Sequence, residues 1–153
     1  MIRTILTLTA LTFAAPAFAD SHSTGDAEAG EKIFGKCKSC HMIVSDTDEV
    51  IAKGGKSGPN LYAVIGRTAG STEGFKYGKD IIAAGEAGLV WDEALIAEYV
   101  VDPKKFLQTF LDSKKAKSKM SFRLKKGGED VAAYLASVGP APAEDDAATS
   151  TDG

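Results

Sequence analysis

Two cysteines, Cys37 and Cys40, and two histidines, His22 and His41, are the strongest candidates for chemistry in this 153-residue chain. Three of the four fall in one run, Cys37-Lys38-Ser39-Cys40-His41. A Cys-x-x-Cys pair alone suits a redox dithiol or half of a zinc site. The sequence has no second cysteine pair and only His22 besides His41, so a four-ligand zinc site cannot be assembled from cysteine and histidine. A histidine directly after the pair changes the reading. The spacing places two thiols on adjacent edges of one turn, able to add to the two vinyl groups of a haem, and lets the imidazole reach the iron. One covalently attached haem c is the reading that uses all three residues.

An iron that only carries electrons needs a second protein ligand. Of the three methionines, Met1 lies in the leader described below, and Met42 is adjacent to His41 and cannot reach the opposite face. Met120 is left. A lone methionine is ordinarily core filler, but Met120 stands among lysines and serines, where filler is out of place. Imidazole plus thioether ligation favours ferrous iron and implies a fairly positive potential. An iron without Met120 would instead suit a peroxidase-like enzyme or a gas-binding sensor. A chain without haem would be a dithiol oxidoreductase. Carbon monoxide binding, and retention of the chromophore after denaturation, separate these alternatives.

The chain on either side of these residues has its own signals. Residues 1–19 have one early charge, Arg3, an apolar stretch, and Ala17 and Ala19 flanking Phe18, the pattern of a secretory leader cleaved before Asp20. The stretch is shorter than the ~20 residues of a spanning helix, and no later segment is long and apolar enough to cross a bilayer. Export places the chain in an oxidising compartment, the periplasm. Residues 20–25 read as a flexible lead, 26–138 as the single domain, and 139–153 as an acidic tail without large apolar residues.

Within the domain, Asp26 opens a short amphipathic helix that delivers Cys37. The glycine-rich stretch to Gly58-Pro59 reads as loop. A helical piece is expected over 60–65, stopping at Gly66, and one or two turns over 79–84, ended by Gly85. Asp92 caps a clearer helix with Leu95, Ile96, Tyr99 and Val100 at helical spacing, ended by Pro103. Phe106, Leu107, Phe110 and Leu111 suggest a further short helix, and 129–138 the last. Nothing alternates with period two, so the fold class is all-α. Its long loops call for a large internal apolar object, which haem supplies.

The chain resembles the class I cytochromes c, most closely the bacterial cytochrome c2 type. The resemblance covers residues 26–138 and rests on Gly30 and Phe34, the Cys-Lys-Ser-Cys-His run, Gly58-Pro59-Asn60-Leu61, Gly66-Arg67, Gly74-Phe75-Lys76-Tyr77, Trp91, Tyr99, Asp102-Pro103-Lys104-Lys105, Lys119-Met120-Ser121-Phe122, and Glu129-Asp130 with Tyr134-Leu135 in the family's order. It implies short helices and long loops wrapped around one haem. It further implies that the Pro59 carbonyl fixes the His41 ring, that Arg67, Tyr77 and Trp91 hold haem propionates, that Tyr99 hydrogen-bonds the Met120 sulfur, and that Gly30 and Phe34 meet Tyr134. The loops 41–59 and 103–120 are longer than in the mitochondrial form. The segment 78–90 also carries extra residues, so no family role is carried over to it.

Charge is informative once divided. Without the leader, whose one charge is Arg3, 17 basic residues face 21 acidic ones, and Glu144, Asp145, Asp146 and Asp152 of the tail account for the difference. The domain itself is close to neutral. Between Lys104 and Lys126, however, nine basic residues stand against one acid, Asp112, bracketing Met120. Lys104, Lys105, Lys117 and Lys119 on that side, with Lys36, Lys38 and Lys56 near the other ligand, would make a positive rim that steers acidic partners. The expected partners are membrane redox complexes: a cytochrome bc complex, and a reaction centre, terminal oxidase or reductase. The patch has no stacking aromatics, which argues against nucleic acid, and the carrier is expected to be a monomer and not an enzyme.

Overall fold

The computed structural model describes residues 24–140, so the leader, the lead up to residue 23 and the tail from residue 141 lie outside the described residues. Five helices surround a cleft: α1 (Ala27–Phe34), α2 (Lys79–Glu86), α3 (Glu93–Val101), α4 (Pro103–Phe110) and α5 (Gly128–Ser137). Each is 8 to 10 residues long, too short to be stable alone. Caps and packing must therefore hold them.

Three aspartates start helices as their sequence position suggests. The Asp26 carboxylate accepts from the N–H groups of Glu28 and Ala29 at 2.8 and 3.1 Å. Asp92 accepts from Leu95 N–H at 2.7 Å. Asp102 ends α3 and caps α4, accepting from Lys105 N–H at 3.0 Å just before Pro103.

Packing centres on α5, which meets both α1 and α3. At the α1 crossing, a side chain on Gly30 would overlap the Asp130 carbonyl oxygen and come within 2.8 Å of Tyr134 Cβ. The rings of Phe34 and Tyr134 pack 5.5 Å apart beside it, and Asp130 Oδ1 accepts from Asp26 N–H at 2.9 Å. The meeting of Gly30 and Phe34 with Tyr134 is therefore seen directly. Buried Phe34, Leu107, Val131 and Leu135 continue this core. Among the described residues, no helix is long and apolar enough to cross a membrane.

The all-α reading needs one addition and two corrections. Strands β1 (Ile43–Val44) and β2 (Val50–Ala52) form an antiparallel hairpin inside the expected loop. Strands of two and three residues are too short to reveal alternation. The hairpin is closed by Ser45, whose Oγ accepts from Glu49 N–H at 3.0 Å. The expected helix over 60–65 is instead a pair of turns. Asn60 is tied sideways to the hairpin, its amide donating to the Val44 carbonyl at 2.6 Å, and Ala63 has φ 52°, which no right-handed helix accepts. Gly85 does not end α2, which runs on to Glu86. A Cβ there would overlap the Ala69 carbonyl, so this glycine marks a close contact rather than a stop.

Candidate functional site

After α1 the chain coils through tight turns that present Cys37, Cys40 and His41. Cys37 N–H donates to Phe34 O at 2.8 Å, and Cys40 and His41 N–H both donate to Cys37 O, at 3.1 and 2.9 Å. Both thiols are free, Cys37 half-buried and Cys40 exposed. Burial and the neighbouring Cys40 push the Cys37 thiol up, whereas hydrogen bonds from Ser57 and Ser39 lower that of Cys40. The two sulfurs differ in thiolate character before any bond to a cofactor is made.

The loop after β2 straps this turn in place. Gly55 N–H donates to Lys38 O at 2.9 Å, Gly58 N–H to Cys40 O at 2.8 Å, and Leu61 N–H to Met42 O at 3.0 Å. Gly58 lies against the His41 ring, where an added Cβ would sit 2.6 Å from Nδ1. Only glycine lets the strap close. The next residue supplies the key contact: His41 Nδ1 lies 2.9 Å from the Pro59 carbonyl oxygen. A carbonyl can only accept, so Nδ1 carries the proton and Nε2 keeps its lone pair for a metal. Burial holds the His41 pKa below its ordinary value, outweighing the Pro59 hydrogen bond, and so favours the neutral, ligating imidazole.

Met120 comes from the long loop between α4 and α5. Gln108 Nε2 donates to the carbonyls of Lys114 and Ala116 at 2.8 and 3.3 Å, and Leu124 N–H donates to Val100 O at 2.7 Å. Ser118 Oγ accepts from Met120 N–H at 3.1 Å and lies 3.3 Å from the Tyr99 hydroxyl. The Tyr99 hydroxyl, expected at the Met120 sulfur, here meets Ser118 beside it. The hydroxyl reaches the Met120 backbone through one serine, Ser118.

Cys37, Cys40, His41, Pro59, Arg67, Tyr77, Trp91, Tyr99 and Met120 all line one cleft of about 290 Å³, near the lower end of the ~300–1,000 Å³ of small-molecule sites. Its floor is apolar, with Leu61, Val64, Ile96, Val131 and Leu135. Of the lining, Trp91 and Tyr99 pack on each other and on Phe106 in the core behind them, with ring centroids 5.0 to 5.9 Å apart. Arg67 is partly buried, which lowers its pKa, and it donates to the carbonyls of Tyr62 and Asn60 at 3.2 and 3.0 Å. It has no ion-pair partner among the described residues. Tyr77 donates to Thr72 Oγ1 at 2.8 Å.

Of the rim lysines, all seven are exposed, and Lys36, Lys117 and Lys119 line the cleft. Lys38 and Lys56 flank its attachment side in the sequence, and Lys104 and Lys105 stand in the first turn of α4, off the cleft lining. Sequence reasoning assigned no site role to Ser57, Gly78, Ile81 and Ser118, which also line it. For Ile81 a signal existed, its helical spacing from buried Ala84. The serines carried none.

The donor set fits haem: two thiols for its vinyl groups, one imidazole nitrogen and one thioether sulfur for iron, an apolar cavity for the ring, and a half-buried guanidinium without a carboxylate partner for an anionic edge. Zinc does not fit, since no group of three or more His, Cys, Asp or Glu that could hold a metal occurs among the described residues. Short helices around such a cleft define a c-type cytochrome of class I. No family model matches the chain, but whole-chain relatives do. It is 61% identical over 139 residues to cytochrome c-551 of Roseobacter denitrificans, covering 90% of this chain and 96% of that one, and 57% identical over 135 residues to cytochrome c2 of Rhodobacter capsulatus, covering 88% and 95%. The solved structure of cytochrome c2 from Rhodobacter capsulatus matches with a TM-score of 0.74 at 59% identity, over 74% of this chain and 98% of that one. That of cytochrome c2 from Paracoccus denitrificans gives 0.72 at 52%, over 74% and 95%. The chain belongs to the bacterial cytochrome c2 family, electron carriers with one covalently attached haem c.

Proposed function

We propose that this chain is a soluble periplasmic carrier of single electrons, shuttling between membrane redox complexes such as a cytochrome bc complex and a reaction centre, oxidase or reductase. The observation that carries the reading is His41 and Met120 lining one apolar cleft, with His41 Nδ1 already committed to Pro59. Cys37 and Cys40 would hold haem covalently, and His41 Nε2 and Met120 Sδ would be the protein donors to its iron. Arg67, Tyr77 and Trp91 would face the propionates, and Tyr99 would brace the Met120 loop through Ser118. The haem supplies a reversible ferric–ferrous step, biased toward ferrous by histidine and thioether. The protein's own part is to keep both ligands fixed and water out, so that little rearranges when an electron moves. The leader pattern in residues 1–19 supports the periplasm.

The lysine rim supplies the encounter. Exposed charges attract across water, and salt screens them over a Debye length of ~8–10 Å. The test is the rate at which membranes containing a quinol-oxidising bc complex reduce the purified holoprotein, measured against ionic strength. The rate should fall steeply as salt rises. Charge reversal at Lys117 together with Lys36 should lower the low-salt rate about tenfold or more and flatten the dependence. A rate indifferent to salt and to these lysines would remove the docking assignment, and absence of reduction would remove the carrier reading.

A further inference from the structure

Helix α2 belongs to the segment to which no family role could be carried over, yet it touches both the cleft and the Met120 loop. Ile81 lines the cleft, and the helix is braced from behind by α4. One turn-position away, half-buried Asp80 has Oδ2 2.9 Å from the backbone N–H of Lys117, three residues before Met120. A second tie comes from the approach to the same helix, where Lys119 Nζ donates to the Lys76 carbonyl at 2.8 Å. The chain between α4 and α5 contains no helix or strand. A side chain on such a loop is placed by whatever anchors the loop. The two ties hold the residues either side of Ser118, one to α2 and the other to the segment that leads into it.

We infer that Asp80 is a positioning residue, whose carboxylate holds the Lys117 N–H and so limits how often Met120 swings out of the cleft. The inference rests on the reading of Met120 as the iron ligand. An external ligand such as imidazole can reach the iron only when Met120 is out, so its apparent affinity scales with that open fraction. Removing the acceptor should raise the open fraction.

The test compares the full-length holoprotein with its Asp80→Ala, Asp80→Asn and Met120→Ala variants in three measurements: imidazole titration of the oxidised form, hydrogen exchange at the Lys117 amide, and denaturant unfolding. Asp80→Ala should bind imidazole about fivefold more tightly, in keeping with one lost hydrogen bond, and exchange Lys117 faster, with little change in the unfolding midpoint. Asp80→Asn keeps a side-chain oxygen and should stay near the parent. An unchanged imidazole affinity in Asp80→Ala overturns the inference, as does an Asn variant that behaves like the Ala variant, since the charge and not the held N–H would then matter. A parent protein that binds imidazole as tightly as Met120→Ala overturns the ligand assignment and this inference with it, a pattern distinct from an unresponsive Asp80→Ala.

Discussion

Met120→Ala is expected to lower the midpoint potential of the holoprotein by on the order of 0.1–0.2 V, a substantial part of the ~0.8 V range over which axial ligands move haem iron. The sign follows from the donor: a thioether favours ferrous iron, and without it water or hydroxide would favour ferric. The variant should also bind carbon monoxide when reduced. It should remain folded, because Met120 is only half-buried and the holds on its loop from Gln108 and Asp80 involve other residues. A potentiometric titration of parent and variant decides the matter. An unchanged potential would take Met120 off the iron and leave the cleft with one axial ligand.

The second large effect is structural. Alanine is the better helix former by about 1 kcal/mol, so Gly30→Ala in an open helix would stabilise the protein. Here the added methyl would overlap the Asp130 carbonyl oxygen, which belongs to the backbone of α5 and cannot rotate away. Relief requires α1 to lift off α5, loosening the Phe34–Tyr134 ring contact and the Asp26–Asp130 hydrogen bond together. Overpacking of this kind costs about 3 kcal/mol or more. The steric term wins, and a net loss of about 2–3 kcal/mol should appear as a drop of roughly 10 °C in the thermal midpoint. A variant as stable as the parent would mean that α1 and α5 cross elsewhere.

How much of this could be read before the fold was known depended on where each signal resides. Asp26, Asp92 and Asp102 announced helices because a cap acts through its own neighbours, and all three start one. The residues brought to the cleft were legible because sulfur and imidazole are rare here and their chemistry is specific. The failures are non-local. Asn60 looked like the start of a helix, but its amide is claimed by Val44 across the hairpin. Gly85 looked like a helix stop, but its missing side chain accommodates the Ala69 carbonyl. The contact between Tyr99 and Ser118 was not legible either, because Ser118 is brought to it only by the path of a long loop. The role of α2 was not legible at all, since Asp80 meets Lys117 across 37 residues of sequence.

In the proposed carrier, His41 and Met120 together leave no open position on the haem iron. The most direct test of that closure is the absorption spectrum of the reduced parent protein before and after exposure to carbon monoxide. The spectrum should stay unchanged, because neither His41 nor Met120 need leave; rapid formation of a carbon monoxide adduct would make the protein a ligand-binding or catalytic haem protein instead.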